Sequence, residues 1–143
     1  MTAYMDTSAL AKLYIHDEGA TLDLSGIIDS FGSVSTSRLT FVETRSALAA
    51  ARRAGRLTAR GHDAAVDHLA AMWTTAFNII DLTQDVAADA GEIAETFGLR
   101  AADAVHLASL RALDAPAVPL VAWDVRLRQA ALANGFMCYP AKV

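Results

Sequence analysis

Apolar residues along the chain fall into two alternating rhythms, and their order predicts the architecture. Ala3-Tyr4-Met5 is a short apolar run without turn residues, which reads as a buried strand ending on Asp6. Leu10, Leu13 and Tyr14 follow at i, i+3 and i+4, one face of a helix that Thr7 or Ser8 is suited to cap. His16-Asp17-Glu18-Gly19 reads as its stop, and a second short helix is predicted over about residues 20–30. Residues 33–37 place Val34 among small polar residues as a strand, which feeds a helix over about 37–54 that Gly55 ends. Thr58 is placed to cap a helix reaching about residue 75, with Ala65, Leu69 and Met72 as its inner stripe. Phe77-Asn78-Ile79-Ile80-Asp81 has the β-branched character of a strand, and Thr83 opens a helix that Gly98 stops. A loop into a helix follows from Leu99 to Ala108. Pro119-Leu120-Val121-Ala122-Trp123 predicts a buried strand ending on Asp124, residues 126–133 a helix, and residues 136–139 a last short strand.

Strands therefore alternate with helices throughout. The fold class expected is α/β: a single domain over residues 1–143, with a parallel sheet of four to five strands flanked by helices. Right-handed crossovers place the carboxyl ends of parallel strands on one edge, where ligands bind in such sheets. Composition agrees with one globular core, being 54% hydrophobic and only 20% charged. The net charge of −4 argues against a general nucleic-acid coat protein, while leaving room for a nuclease with a local basic patch and an acidic site. Cys138 is the single cysteine, so an intramolecular disulfide or cysteine metal cluster is excluded and a reducing, cytoplasmic setting is expected. Asp6 and Lys12 interrupt the N-terminal stretch, which does not read as a signal region, and no stretch is long and apolar enough to span a bilayer.

Four acids recur at one kind of place. Asp6 and Asp124 end strands, Glu43 lies in the early turns of the helix after the second strand, and Asp103 opens the helix after Gly98. Each has a plain structural reading as a cap or a favourable acid near a helix N-terminus. Gathered on one edge, they would repel one another unless a cation lay among them. Carboxylate oxygens suit hard cations such as Mg²⁺ and Mn²⁺, which can activate water for phosphodiester hydrolysis.

Three segments carry a family resemblance that spans the whole chain. Met5-Asp6-Thr7-Ser8-Ala9-Leu10-Ala11-Lys12-Leu13-Tyr14, Glu43-Thr44-Arg45-Ser46-Ala47-Leu48 and Leu99-Arg100-Ala101-Ala102-Asp103-Ala104-Val105-His106-Leu107-Ala108 resemble the motifs of PIN-domain ribonucleases, specifically the VapC toxins of type II toxin–antitoxin pairs. The third is the most specific. The resemblance implies a Mg²⁺- or Mn²⁺-dependent endoribonuclease that hydrolyses RNA, often tRNA or rRNA, by a metal-activated water. It also implies neutralisation by a VapB-like antitoxin, and a homodimer or toxin–antitoxin heteromer. Asp6, Glu43 and Asp103 match the family's invariant acids and Asp124 its more variable fourth. Asp6 and Asp103 are thereby expected to hold the principal ion, Glu43 to join directly or through water, and Asp124 to complete the shell or help a second ion. Thr7 and Ser8 resemble the polar helpers beside the first acid. Ala122 departs from the pattern, standing where the family often has Thr or Ser.

Other residues divide between surface and core. Arg38, Arg45, Arg52, Arg53, Arg56 and Arg60 make 38–60 the basic stretch, and on an ideal helix Arg45, Arg52 and Arg56 share a face away from Glu43. That face reads as solvated first and as an RNA contact second. Arg100 and Arg126 lie nearer the acidic edge and are the better phosphate contacts. His106, one turn after Asp103, reads as packing or as a hydrogen-bond partner behind the site rather than a general base. Trp73 and Trp123 read as core or interface residues, as do Phe41 and Leu48, and Asp81 is a reserve acid at a strand end. Three other functions compete. A haloacid-dehalogenase-like phosphatase would need a second Asp where Ser8 stands, and a phospho-acceptor receiver would need a lysine after a late strand, whereas the lysines are Lys12 and Lys142. A non-catalytic PIN-like scaffold binding RNA or protein would be free to lose the four acids.

Overall fold

The computed structural model describes residues 2–16, 23–115 and 117–143. The predicted helix stop at 17–19 and the first residues of the predicted second helix, 20–22, lie outside them. The elements run β1 (Thr2–Met5), α1 (Thr7–Ala11), α2 (Leu24–Phe31), β2 (Ser33–Ser37), α3 (Arg38–Arg53), α4 (Ala59–Thr75), β3 (Phe77–Ile80), α5 (Gln84–Phe97), α6 (Ala101–Arg111), β4 (Leu120–Val121), α7 (Val125–Ala133) and β5 (Cys138–Tyr139). All five strands are parallel, in the order β3-β2-β1-β4-β5. This is the single α/β architecture the alternating pattern predicts.

The strand order places β1 in the middle and reverses direction there. From β1 the chain goes outward to β2 and β3, then returns to lay β4 on the other side of β1. Between the carboxyl ends of β1 and β4 the connections diverge, which opens the crevice typical of such switch points. Register pairs Tyr4 with Leu120 and Met5 with Val121, so the residues leaving these strands, Asp6 and Asp124, emerge on the same edge.

Successive residues of β1 face opposite layers, as strand geometry requires. Ala3 and Met5 pack with Leu10, Ile27, Val34, Leu69 and Val121 on the side of α1, α2 and α4. Tyr4 packs with Ile93, Leu107, Leu110, Leu120 and Leu127 on the side of α5, α6 and α7. Both layers are well filled. Replacing a fully buried leucine such as Leu107 by alanine costs about 2–5 kcal/mol in such cores. Phe41 packs against the first of these layers and lies on Trp73, and Leu48 is fully buried on α3.

Boundaries differ from the sequence pattern where other groups compete for the backbone. β4 stops at Val121 because the N–H groups of Trp123 and Asp124 turn to the Ser8 hydroxyl instead of a neighbouring strand. α1 ends at Ala11, and the next three residues tighten into i to i+3 bonds from Lys12, Leu13 and Tyr14. α5 ends as expected at Gly98, which holds the left-handed conformation (φ 62°) that favours glycine. Arg56 lies beyond the end of α3, so the predicted helical face of Arg45, Arg52 and Arg56 does not exist. Gly55 (φ 73°) turns the chain before Arg56, which lines a cleft with Ser8, Lys12 and Trp123. Among the described residues no helix is long and apolar enough to cross a membrane.

Candidate active site at the carboxyl edge of the sheet

Asp6 leaves the central strand and at once becomes the N-cap of α1. Its Oδ1 accepts the Ala9 N–H at 2.9 Å and the Ser8 hydroxyl at 2.8 Å, and the residue is only 3% exposed. Thr7 and Ser8 are therefore not the caps that the sequence pattern predicts. The carboxylate reaches the free N–H first, which releases both hydroxyls for longer-range bonds. Ser8 donates to Asp6 and accepts the N–H of Trp123 at 2.8 Å and of Asp124 at 3.3 Å. One hydroxyl thus ties the end of β1 to the chain leaving β4. Asp124 caps α7 by accepting the Leu127 N–H at 2.9 Å.

Glu43 stands in the second turn of α3, where Ser37 rather than an acid caps the helix. Its Oε1 accepts from Thr7 Oγ1 at 2.8 Å and from His106 Nε2 at 2.8 Å. Asp103 lies in the first turn of α6, whose N-cap residue, Arg100, supplies no side-chain cap bond. The Oδ2 atom of Asp103 is buried and has no hydrogen-bond donor. The Arg100 guanidinium approaches from solvent, 3.5 Å from that oxygen and 3.9 Å from Asp124 Oδ2.

Electrostatics separates these acids. Burial holds the Asp103 carboxyl above the usual carboxylate range, the Asp124 charge adds to the rise, and Arg100 and His106 oppose it. Burial likewise raises Asp6, against the favourable charge of His106 and the bonds from Ala9 and Ser8. Burial also acts on Glu43, but the bond and charge of His106 and the Thr7 hydroxyl outweigh it, and Glu43 lies below its ordinary value. Acids so arranged are electrostatically unfinished, because their oxygens accumulate negative charge faster than the protein supplies donors.

A hard divalent cation suits this donor set. The donors are carboxylate oxygens, one of them buried and lacking a hydrogen-bond donor. Among the described residues, no three His, Cys, Asp or Glu side chains close on one point to cage an ion. Mg²⁺ does not need such a cage, since it keeps several waters and takes one or two protein carboxylates. Arg126, grouped with Arg100 from sequence, is exposed and lines a different cavity with Phe97, Gly98, Leu99 and Gln129. Asp81 pairs with Arg38 on the surface and is not linked to the four acids by any described contact. The sequence pattern passed over Tyr4 as an apolar strand residue. Its polar tip inside a buried strand, and His106 at i+3 from Asp103, were the available signals.

A family model for the PIN domain matches residues 3–132, a span that contains all four acids. The chain belongs to the PIN-domain family. Within that family it groups with the VapC ribonucleases: it is 37% identical to ribonuclease VapC45 of Mycobacterium tuberculosis over 98% of this chain and 96% of that one. Among solved structures, PAE2754 from Pyrobaculum aerophilum shares the PIN fold with a TM-score of 0.70 at 22% identity, over 96% of this chain and 92% of that one. A toxin–antitoxin complex from Klebsiella pneumoniae contains a chain with the same fold, with a TM-score of 0.60 at 18% identity, covering 99% of this chain and 95% of that chain.

Proposed function

We propose that the chain is a divalent-metal-dependent endoribonuclease, the toxin of a type II toxin–antitoxin pair. Its substrate is RNA, with tRNA or rRNA as the class, and a VapB-like antitoxin restrains it in the cytoplasm, in a homodimer or a toxin–antitoxin heteromer. The observation that carries the reading is the set of contacts joining acids from four elements at the β1–β4 switch point: Ser8 links Asp6 to the Asp124 N–H, Arg100 faces Asp124 and Asp103, and the Glu43 charge acts on Asp103, whose buried Oδ2 has no hydrogen-bond donor. The relative named a ribonuclease and the fold neighbour from a toxin–antitoxin complex support the same assignment.

In this reading Asp6 and Asp103 hold Mg²⁺ or Mn²⁺, with Glu43 and Asp124 completing its surroundings. The cation, when bound, polarises a phosphoryl oxygen and lowers the pKa of water. The protein's own part is orientation. Ser8 and the Ala9 N–H fix Asp6, while Thr7 and His106 fix Glu43. Arg100 is 71% exposed and sits beside the acids, where it can grip the phosphate backbone next to the scissile bond.

The test is cleavage of total RNA by purified, antitoxin-free protein in Mg²⁺, Mn²⁺ or EDTA, beside Asp103→Asn. Discrete products that need the cation and disappear in the variant are expected. Metal-independent cleavage, or full activity in Asp103→Asn, would sink the reading. Folded wild type that is inert on every RNA class would favour the binding scaffold.

A further inference from the structure

His106 lies outside the set of acids, yet it is the most deeply buried side chain bonded to one of them. Its side chain is 3% exposed against 28% for Glu43. Both ring nitrogens are engaged. Nε2 is 2.8 Å from Glu43 Oε1, and Nδ1 is 2.9 Å from the Tyr4 hydroxyl. A carboxylate only accepts, so Nε2 carries its hydrogen toward Glu43 in either charge state of the ring. In the neutral ring Nδ1 is then the acceptor, and the Tyr4 phenol donates to it. Burial holds that phenol far above its ordinary pKa, so it keeps its proton.

Packing alone would not select a histidine here. Its buried neighbours on α6 are the apolar Ala104, Leu107, Ala108 and Leu110 and the polar Ser109, and an apolar side chain with an apolar partner in place of Tyr4 would fill the space with fewer polar groups to satisfy. What the histidine adds is a rigid link. Tyr4 is fully buried on the central strand, His106 on a packed helix, and Glu43 on a third element. A polar chain whose members are all satisfied defines one geometry. The His106 and Thr7 bonds both fall on Oε1. We propose that His106, braced by Tyr4, is the positioning residue that fixes the Glu43 carboxylate and reserves its other oxygen for the cation or a water beside it. The proposal rests on the metal-dependent reading above.

The experiment measures Mn²⁺ binding to the purified full chain without RNA, from the spin-resonance signal of free Mn²⁺, with thermal melting alongside. The variants are His106→Leu, which keeps the packing, His106→Gln, which restores one N–H donor, and Tyr4→Phe, which removes only the brace. Partners behind a metal site typically contribute about 10- to 100-fold in affinity, and His106→Leu is expected to lose that much. His106→Gln should recover part of it, and Tyr4→Phe should show a smaller loss in the same direction. Wild-type affinity in a folded His106→Leu overturns the proposal. If that variant does not fold, wild-type affinity in both His106→Gln and Tyr4→Phe overturns it. Wild type that binds no Mn²⁺ and cleaves no RNA removes the nuclease reading, and this inference with it.

Discussion

The acidic edge has two halves built on opposite principles. On the Glu43 side, every polar group in the chain Tyr4–His106–Glu43–Thr7 has a protein partner, and the carboxylate is held below its ordinary pKa. On the Asp103 side, one buried oxygen has no hydrogen-bond donor and Asp124 adds repulsion. The nearby guanidinium is mostly exposed, and the carboxyl is held above its ordinary pKa. The first half is preorganised by the fold. The second is stable at neutral pH only at a cost, and a cation would relieve it. A site of this kind separates orientation from charge: the core supplies geometry where it can satisfy every bond, and leaves the remaining charge for a ligand.

Three substitutions sharpen or break this contrast, from the largest expected effect on stability to the smallest. Asp103→Asn should raise the stability of the cation-free protein in EDTA, because it removes a partly buried charge that the exposed Arg100 guanidinium offsets only in part. The gain expected is about 1–2 kcal/mol, or a melting temperature higher by about 3–7 °C. The pH dependence gives the sign independently. A carboxyl whose folded pKa is raised binds its proton more tightly in the folded state, so its destabilising effect is absent below the unfolded value and grows as pH rises through the folded one. The advantage of Asp103→Asn should therefore be present at neutral pH and vanish in acid. A variant that melts below wild type in EDTA at pH 7 would contradict the account of the Asp103 half.

Thr7→Val tests the satisfied half and should have the opposite sign. It removes a donor to a carboxylate at nearly constant shape, costing about 1 kcal/mol at neutral pH because water replaces part of the bond to the partly exposed Glu43. Glu43 has a lowered folded pKa, so its contribution is present above the unfolded value and lost as pH falls through the folded one. The penalty of Thr7→Val should shrink along the same fall, read from denaturant midpoints across the acid range. Arg100→Ala should change stability by no more than about 0.5 kcal/mol, since its ion pairs are long and solvent-exposed. It should instead weaken RNA binding and flatten the dependence of binding on salt by about one phosphate contact. A salt slope identical to wild type would remove Arg100 from the RNA surface.

Much of this molecule is legible along the chain. Alternating strand and helix patterns, the Gly98 stop and the Thr58 and Thr83 caps depend on neighbours within a few residues, and the structure has them where the local chemistry places them. The four acids stand out for a related reason, since strand ends and first helical turns are visible as sequence positions. Local pattern failed where a side chain had two possible partners. Thr7 and Ser8 look like caps until Asp6 takes the free N–H, and then one reaches Glu43 and the other reaches the backbone beyond β4. Arg56 looks helical until Gly55 turns the chain away.

The sequence by itself determined the α/β class, the parallel sheet and the identities of the acids, because these follow from short-range periodicity and side-chain chemistry. Only the tertiary structure decided which acids are satisfied and which are not. That depends on strand order and on the face to which each residue points. β4 lies beside β1, Tyr4 faces α6 rather than α4, and His106 therefore reaches across 63 positions of sequence to Glu43, while no hydrogen bond is made to Asp103 Oδ2. Hydrogen bonds act over about 3 Å, and which groups come that close is set by packing rather than by order along the chain.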